Sequence, residues 1–185
     1  MSMTVTEANR VLADADLLAG EAEVVTAINR MAAEITAVLQ NSRPVLLCVM
    51  NGGLIFAGQL LTRLLFPLEV GYLHATRYGH ETSGGGLAWL ARPAIELRGR
   101  TVLLLDDILD EGITLAAVAD YCRQQGAVQV LTAVLIDKQH DRKMTPGGKA
   151  DFTGLETGDR FLFGYGLDYQ GFWRNAPGIY AVKGA

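Results

Sequence analysis

Apolar positions along this chain group in two ways. Pro44–Met50, Val102–Leu105 and Val128–Ile136 are short, nearly uninterrupted runs rich in branched residues. Such runs predict strands buried on both faces, the kind that belong in a parallel sheet. Elsewhere the apolar residues return at every third or fourth position. Val24, Val25, Ile28, Met31, Ala32, Ile35, Val38 and Leu39 form one such stripe and predict an amphipathic helix over Glu21–Leu39. Helical segments follow at Leu54–Leu61 and Leu115–Ala119, each shortly after one of the continuous runs. Leu68–Ala75 alternates and predicts another strand, Leu87–Leu90 a returning one and Pro177–Val182 a last one. Thr4 to Ala19 holds only short apolar and acidic pieces. Strands alternating with helices predict an α/β fold, a mostly parallel sheet flanked by helices, in one domain over 1–185.

Polar residues punctuate the ends of the continuous runs. Asp106 and Asp107 come where the run Val102–Leu105 should end, Asp110 follows in the same loop, and Gly112 and Thr114 lead into the next helix. In open α/β sheets, ligands bind just beyond the carboxyl ends of the strands. A glycine-containing turn into a helix also offers free N–H groups and a positive dipole to a phosphate. The loop therefore presents carboxylates and an anion cradle together, which suits a ligand with hydroxyls or Mg2+ at one end and a phosphate at the other. A ribose 5-phosphate is such a ligand. Asn51, Gly52 and Gly53 make a second backbone anion site of the same kind, and Lys138 closes the third apolar run. Thr76–Gly86 is polar, dense in glycine and without periodicity, which predicts a mobile functional loop.

Composition narrows the picture. Hydrophobic residues make up 50% and charged ones 19% of the 185 residues, a balance that supplies a generous core. The net charge of −4 and pI near 5.3 argue against a broad nucleic-acid surface. Cys48 and Cys122 fall within a predicted strand and a predicted helix at no metal-binding spacing, so reduced buried thiols are expected. No apolar run approaches the roughly 20 residues of a membrane span, and the start of the chain lacks the layout of a signal peptide. The expected setting is the cytoplasm, with neither membrane nor nucleic acid as partner.

The loop Asp106-Asp107-Ile108-Leu109-Asp110-Glu111-Gly112-Ile113-Thr114 resembles the phosphoribosyl-pyrophosphate (PRPP) loop of type I phosphoribosyltransferases. A second stretch, Asp151–Tyr169, an aromatic-rich strand followed by Gly164-Tyr165-Gly166-Leu167-Asp168-Tyr169, resembles the purine-binding end of the hypoxanthine-guanine branch, and Gln170–Asn175 its closing segment. The resemblance implies the type I fold with a small hood and a mobile catalytic loop. It also implies transfer of a 5-phosphoribosyl group from PRPP to hypoxanthine or guanine with Mg2+ as cofactor, in a homodimer or homotetramer.

Residue by residue, the resemblance implies that Asp106 and Asp107 hold the ribose and the metal, which Asp168 also approaches. Asp110 would be the catalytic residue, set against N7 of the purine. The backbone of Asp110, Glu111, Gly112, Ile113 and Thr114, with the Thr114 hydroxyl, would bind the 5-phosphate. Asn51, Gly52 and Arg174 would face pyrophosphate, through a cis Met50–Asn51 peptide. Lys138 would donate to the 6-oxo group, Phe161 would stack on the base and Leu162 would offer its backbone. Arg77 and Tyr78 would belong to the lid, where relatives carry a Ser-Tyr pair. Two positions depart from the family pattern: Asn51, where many relatives carry a cation, and Glu111, where Thr is common. A carboxylate beside a phosphate is repelled, so Glu111 either points away or is neutralised by a cation.

Three other readings use the same residues. Receiver-like phosphoacceptor modules also need an acid pair, an Asp and a strand-end Lys, but they spread the acids over separate strands, whereas here they share one loop. A nucleotide-sensing regulator of the same fold would bind RNA, against which the acidic pI and the base-binding segment both argue. A xanthine-preferring transferase differs only in its base.

Overall fold

The three continuous apolar runs become neighbours at the centre of a sheet. In this computed structural model, which describes residues 3–77, 87–144 and 148–184, the elements run α1 (Val5–Asp14), β1 (Asp16–Ala19), α2 (Glu21–Leu39), β2 (Val45–Val49), α3 (Gly53–Leu61), β3 (Glu69–Arg77), β4 (Leu87–Ala91), β5 (Thr101–Leu109), α4 (Ile113–Gln124), β6 (Gln129–Lys138), β7 (Phe152–Thr157), β8 (Leu162–Phe163) and β9 (Ile179–Ala181). A six-stranded sheet has the order β4-β3-β2-β5-β6-β7, and a three-stranded one the order β1-β9-β8. Within the larger sheet β3, β2, β5, β6 and β7 are parallel and β4 is an antiparallel edge, so the expected architecture is present.

Both faces of the larger sheet are covered, as its uninterrupted apolar strands require. On one side Ile28, Met31 and Ile35 of α2 and Phe56 and Leu60 of α3 pack on Leu46, Leu103 and Leu135. On the other side Leu115, Val118 and Cys122 of α4 pack against Leu47, Val102 and Leu104. Residues of the smaller sheet and its loops, among them Leu162, Tyr165, Ile179 and Ala181, join the first of these clusters.

The sequence pattern misplaces one strand end. β5 continues through Asp106 and Asp107 to Leu109, because β6 goes on pairing with it (Asp106↔Val134 to Leu109↔Asp137) after β2 has stopped at Cys48↔Leu105. β2 leaves the sheet through a cis Met50–Asn51 peptide, the bond the family resemblance implied, and enters α3. The two acids therefore stand on a strand whose neighbour has turned away. The aromatic-rich stretch is also split: β7 stays in the large sheet, and β8 begins the small one.

Thr4 to Ala19, without a readable pattern in the sequence, forms the hood's second half. Thr4 caps α1 reciprocally with Glu7, accepting from its N–H while its own N–H donates to the Glu7 carboxylate at 2.7 Å. β1 then pairs antiparallel with β9. Trp173 Nε1 donates to the Ala8 carbonyl at 2.6 Å, and Arg160 donates to Asp16 at 2.7 Å and to the Val182 carbonyl at 2.9 Å. Tyr78 and the rest of the expected lid to Gly86 lie outside the described residues, and Arg77 ends β3.

Candidate active site

A cavity of about 320 Å3 opens beyond the ends of β2, β3 and β5. Its walls include Asn51 and Gly52, Asp106 through Gly112, Thr114, and Arg174 from the hood side. His74 and Thr76 of β3 also line it. Most of the predicted PRPP residues are thus brought to one space; Ile113, Lys138, Phe161, Leu162 and Asp168 lie outside its lining.

The turn into α4 has the geometry of an anion cradle. Gly112 sits at φ +85°, a left-handed conformation that costs glycine little, and the helix starts at Ile113. The first N–H groups of α4 consequently have no acceptor within the helix and point, with its positive end, toward the cavity side. Gly52 plays a different part. A Cβ there would collide with the Asp107 carboxylate, and one on Gly166 would collide with the Gly52 carbonyl. The acid of β5, the loop after β2 and the hood meet at a point where only glycines fit.

Asp106 and Asp107 are carboxylates in a poorly compensated setting. Burial raises Asp106 well above the ordinary carboxylate range, and the charge of Asp107 raises it further. Burial also raises Asp107, opposed by its hydrogen bond with Asp106 and by Arg174. The Asp107 N–H donates to Asp106 Oδ1 at 3.0 Å. Nearby Cys48 is pushed up to about 12, first by burial and then by the same two acids.

Asp110 stands in opposite surroundings. His140 Nε2 lies 2.6 Å from its Oδ1, the ammonium of buried Lys138 3.5 Å from its Oδ2, and Arg142 3.8 Å from Oδ1. Asp159 takes the same cations, with Lys138 at 3.1 Å and Arg142 on both oxygens at 2.5 and 3.0 Å. These partners hold Asp159 well below the usual carboxylate range, Arg142 first and Lys138 second. Arg142 is raised in turn, mainly by Asp159, with Asp110 and Glu111 adding their charges. A cation therefore stands close to Glu111, whose carbonyl also accepts from the Met144 N–H at 2.9 Å. Lys143 pairs with Asp137, which ties the segment after β6 down at a further point.

On the hood side Phe161 is half exposed, edge-on to Tyr169 with ring centres 5.5 Å apart, and Leu162 is buried in β8. Arg174 binds Asp168 and donates to the Gly166 carbonyl at 2.6 Å, while Asp168 accepts from the Gly171 N–H at 2.7 Å. Arg174 thus links Asp168 to the cavity.

A phosphoribosyl transferase domain model matches residues 16–170. The chain belongs to the phosphoribosyltransferase family. Among its relatives, the hypoxanthine-guanine phosphoribosyltransferase of Bacillus subtilis is 32% identical over 170 residues, 91% of this chain and 93% of that protein. The hypoxanthine-guanine-xanthine phosphoribosyltransferase of Tritrichomonas foetus is 30% identical, over 84% of this chain and 85% of its own length. A solved hypoxanthine-guanine-xanthine phosphoribosyltransferase superposes with a TM-score of 0.84 at 27% identity, covering 92% of this chain and 99% of that one.

Phosphoribosyltransferase chemistry needs a place for a divalent cation, and two acid groups are candidates. Ligand atoms of Asp110, His140 and Asp159 lie within 4.8 Å of one another, but Lys138 and Arg142 already neutralise them. Asp106 and Asp107 fit better, since they are hard oxygen donors whose charge burial disfavours, with Arg174 acting on Asp107. Sequence reasoning missed His74, His140, Arg142 and Asp159. The basic stretch His140-Asp141-Arg142-Lys143, separated from Lys138 by Gln139 alone, was the available signal for two of them.

Proposed function

We propose that this chain transfers the 5-phosphoribosyl group of PRPP to N9 of hypoxanthine or guanine, giving IMP or GMP and pyrophosphate. The observation that carries this reading is one strand–turn–helix unit that lines a single cavity with Asp106, Asp107, Asp110, Gly112 and Thr114, with Arg174 opposite. The N–H groups from Asp110 to Thr114, including those of Glu111 and Ile113, and the Thr114 hydroxyl hold the 5-phosphate at the positive end of α4. Asp106 and Asp107 accept from the ribose hydroxyls. The Asn51 and Gly52 backbone and Arg174 receive pyrophosphate, so a cationic side chain at position 51 is dispensable.

Bond breaking at the anomeric carbon leaves positive charge on the sugar and negative charge on the leaving group. Residues that hold both ends while charge develops lower the barrier. A Mg2+ ion bound by Asp106 and Asp107, with Asp168 near it, would neutralise pyrophosphate oxygens as a Lewis acid. Lys138 donates to the 6-oxo group, Phe161 stacks on the ring, Leu162 offers its backbone to the purine edge, and Asp168 stands near the 2-position. Asp110 accepts the N7 proton, as a hydrogen-bond partner or general base. Arg77 and Tyr78 belong to a lid that excludes water. The enzyme works in the cytoplasm as a dimer or tetramer; no helix among the described residues is long and apolar enough to cross a membrane.

The test is pyrophosphate release with PRPP and Mg2+ against hypoxanthine, guanine, xanthine and adenine. Release with the oxopurines is expected, and adenine should be the poorest because it leaves the Lys138 donor unpaired, a loss of about 1–3 kcal/mol. Equal turnover of adenine and hypoxanthine would overturn the role given to Lys138. No release with any base would overturn the function.

A further inference from the structure

His140 sits just past the end of β6 with its ring nearly enclosed, its side chain only 4% exposed. Both ring nitrogens are engaged. Nδ1 lies 3.1 Å from the Arg142 backbone N–H, which can only donate, so Nδ1 is the acceptor and carries no proton. Nε2 must then carry the proton of a neutral imidazole, and it lies 2.6 Å from Asp110 Oδ1. A backbone group thus fixes the tautomer, and the tautomer makes His140 a donor to a carboxylate that opens to the cavity. The second oxygen, Oδ2, has Lys138 as its neighbour at 3.5 Å, beyond hydrogen-bond distance. Lys138 is held instead by Asp159 at 3.1 Å, and Arg142 is held by Asp159 as well. An acceptor and a donor, Oδ2 and Nζ, therefore stand side by side. An oxopurine carrying a proton on N7 presents the complementary pair on one edge, a donor at N7 beside an acceptor at O6.

We propose that His140 is a positioning residue for the transfer reaction: its Nε2–H holds Oδ1 of Asp110, sets the plane of the carboxylate, and assigns Oδ2 to the N7 proton of the purine while Lys138 takes O6. This deepens the function proposed above and rests on it. It also accounts for the near approach of Asp110, His140 and Asp159 as a hydrogen-bonded array rather than a metal centre. Without the ring, Asp110 is free to rotate toward Lys138 or Arg142, and the acceptor for N7 is lost while the phosphate cradle stays.

The experiment compares the wild type with His140→Leu, His140→Gln and Asp110→Asn, and with the double variant His140→Leu/Asp110→Asn, by steady-state kinetics with hypoxanthine and PRPP. His140→Leu should lower kcat/KM for hypoxanthine about tenfold or more, as loss of a hydrogen bond to a charged group does. KM for PRPP should stay within about twofold, since PRPP rests on other groups. His140→Gln, whose amide N–H2 can donate to the same oxygen, should recover most of the loss. In the Asp110→Asn background His140→Leu should have little further effect, because the ring acts through that carboxylate. A full His140→Leu loss in that background, or His140→Leu kinetics like wild type, would overturn the proposal. The tautomer can be read separately from the imidazole 15N resonances of the free protein: protonated Nε2 with bare Nδ1 is required, and the reverse refutes it. A wild type inactive with every oxopurine overturns the function itself and the role of His140 with it. An active wild type with an unaffected His140→Leu overturns His140 alone.

Discussion

Two groups of acids meet at this site, Asp106 with Asp107 and Asp110 with Asp159, and their surroundings are opposite. Asp106 and Asp107 are half-buried on a strand whose neighbour has ended, and their protons are held more tightly than usual. Asp159, which shares the cations of Asp110, is exposed among Lys138 and Arg142 and gives up its proton more readily than usual. In the proposed function the first pair meets positive charge that arrives with the substrate. The second group is already balanced by Lys138 and Arg142, which in the proposal leaves it to orient donors and acceptors. On that proposal similar side chains divide the work: one set would bind by being electrostatically unsatisfied, the other would position by being satisfied.

The contrast is broken most severely by removing both unsatisfied acids. Asp106→Asn/Asp107→Asn should lower kcat/KM a hundredfold or more, at least about 2.7 kcal/mol of transition-state stabilisation. Near-normal turnover of that variant would show that the pair does not meet the substrate. Releasing the satisfied group should cost less. Asp159→Asn frees Lys138 to swing toward Asp110, and a rise in KM for hypoxanthine of roughly tenfold, about 1.4 kcal/mol, is expected in steady-state assays. An unchanged KM would mean that Lys138 keeps its place without Asp159.

A smaller effect sharpens the comparison from the side of stability. A carboxylate whose proton affinity rises on folding destabilises the fold at every pH where the unfolded chain is ionised. The single variant Asp106→Asn, which keeps the oxygen that accepts from the Asp107 N–H, should therefore raise the thermal midpoint of the free protein while damaging catalysis. A gain of about 1 kcal/mol, or roughly 2–4 °C, is expected near pH 7. The gain should shrink toward about pH 4, where the unfolded carboxylate also takes up its proton. A midpoint that falls at pH 7 would show that the charge is compensated after all. The smallest effect is at the thiols. Cys48, at about 12 beside the acid pair, and Cys122, raised by burial to about 11, should react with a disulfide reagent only as fast as the protein opens. Prompt labelling of Cys48 in the native protein would contradict the burial of that region.

The division also explains what can be read from the sequence. The acid pair, Asp110, Gly112 and Thr114 are contiguous, and a buried strand followed by a glycine turn and a helix is a local pattern, so the order of residues alone reveals the cradle. Even there the strand end is misplaced, since β5 lengthens through pairing with β6, a partner the local pattern does not contain. The positioning group is different. His140 meets Asp110 across 30 positions and Arg142 meets Asp159 across 17, so each looks like a solvated charge until the fold brings them together. The hood is least legible for the same reason, with Trp173 and Ala8 separated by 165 positions.

That last separation bears on how the enzyme is made. β9 lies between β1 and β8, so β1 has no strand to pair with until Ile179–Ala181 has been synthesised. Translation at about 5–20 residues per second puts roughly ten to thirty seconds between the appearance of Ala19 and that of Ile179. During that interval the nascent chain already holds Asp106 to Thr114, while Asp168, Arg174 and the last strand of the smaller sheet have yet to follow. The smaller sheet, and with it the Arg174 side of the cavity, is therefore completed only after the acid-bearing strand has been made.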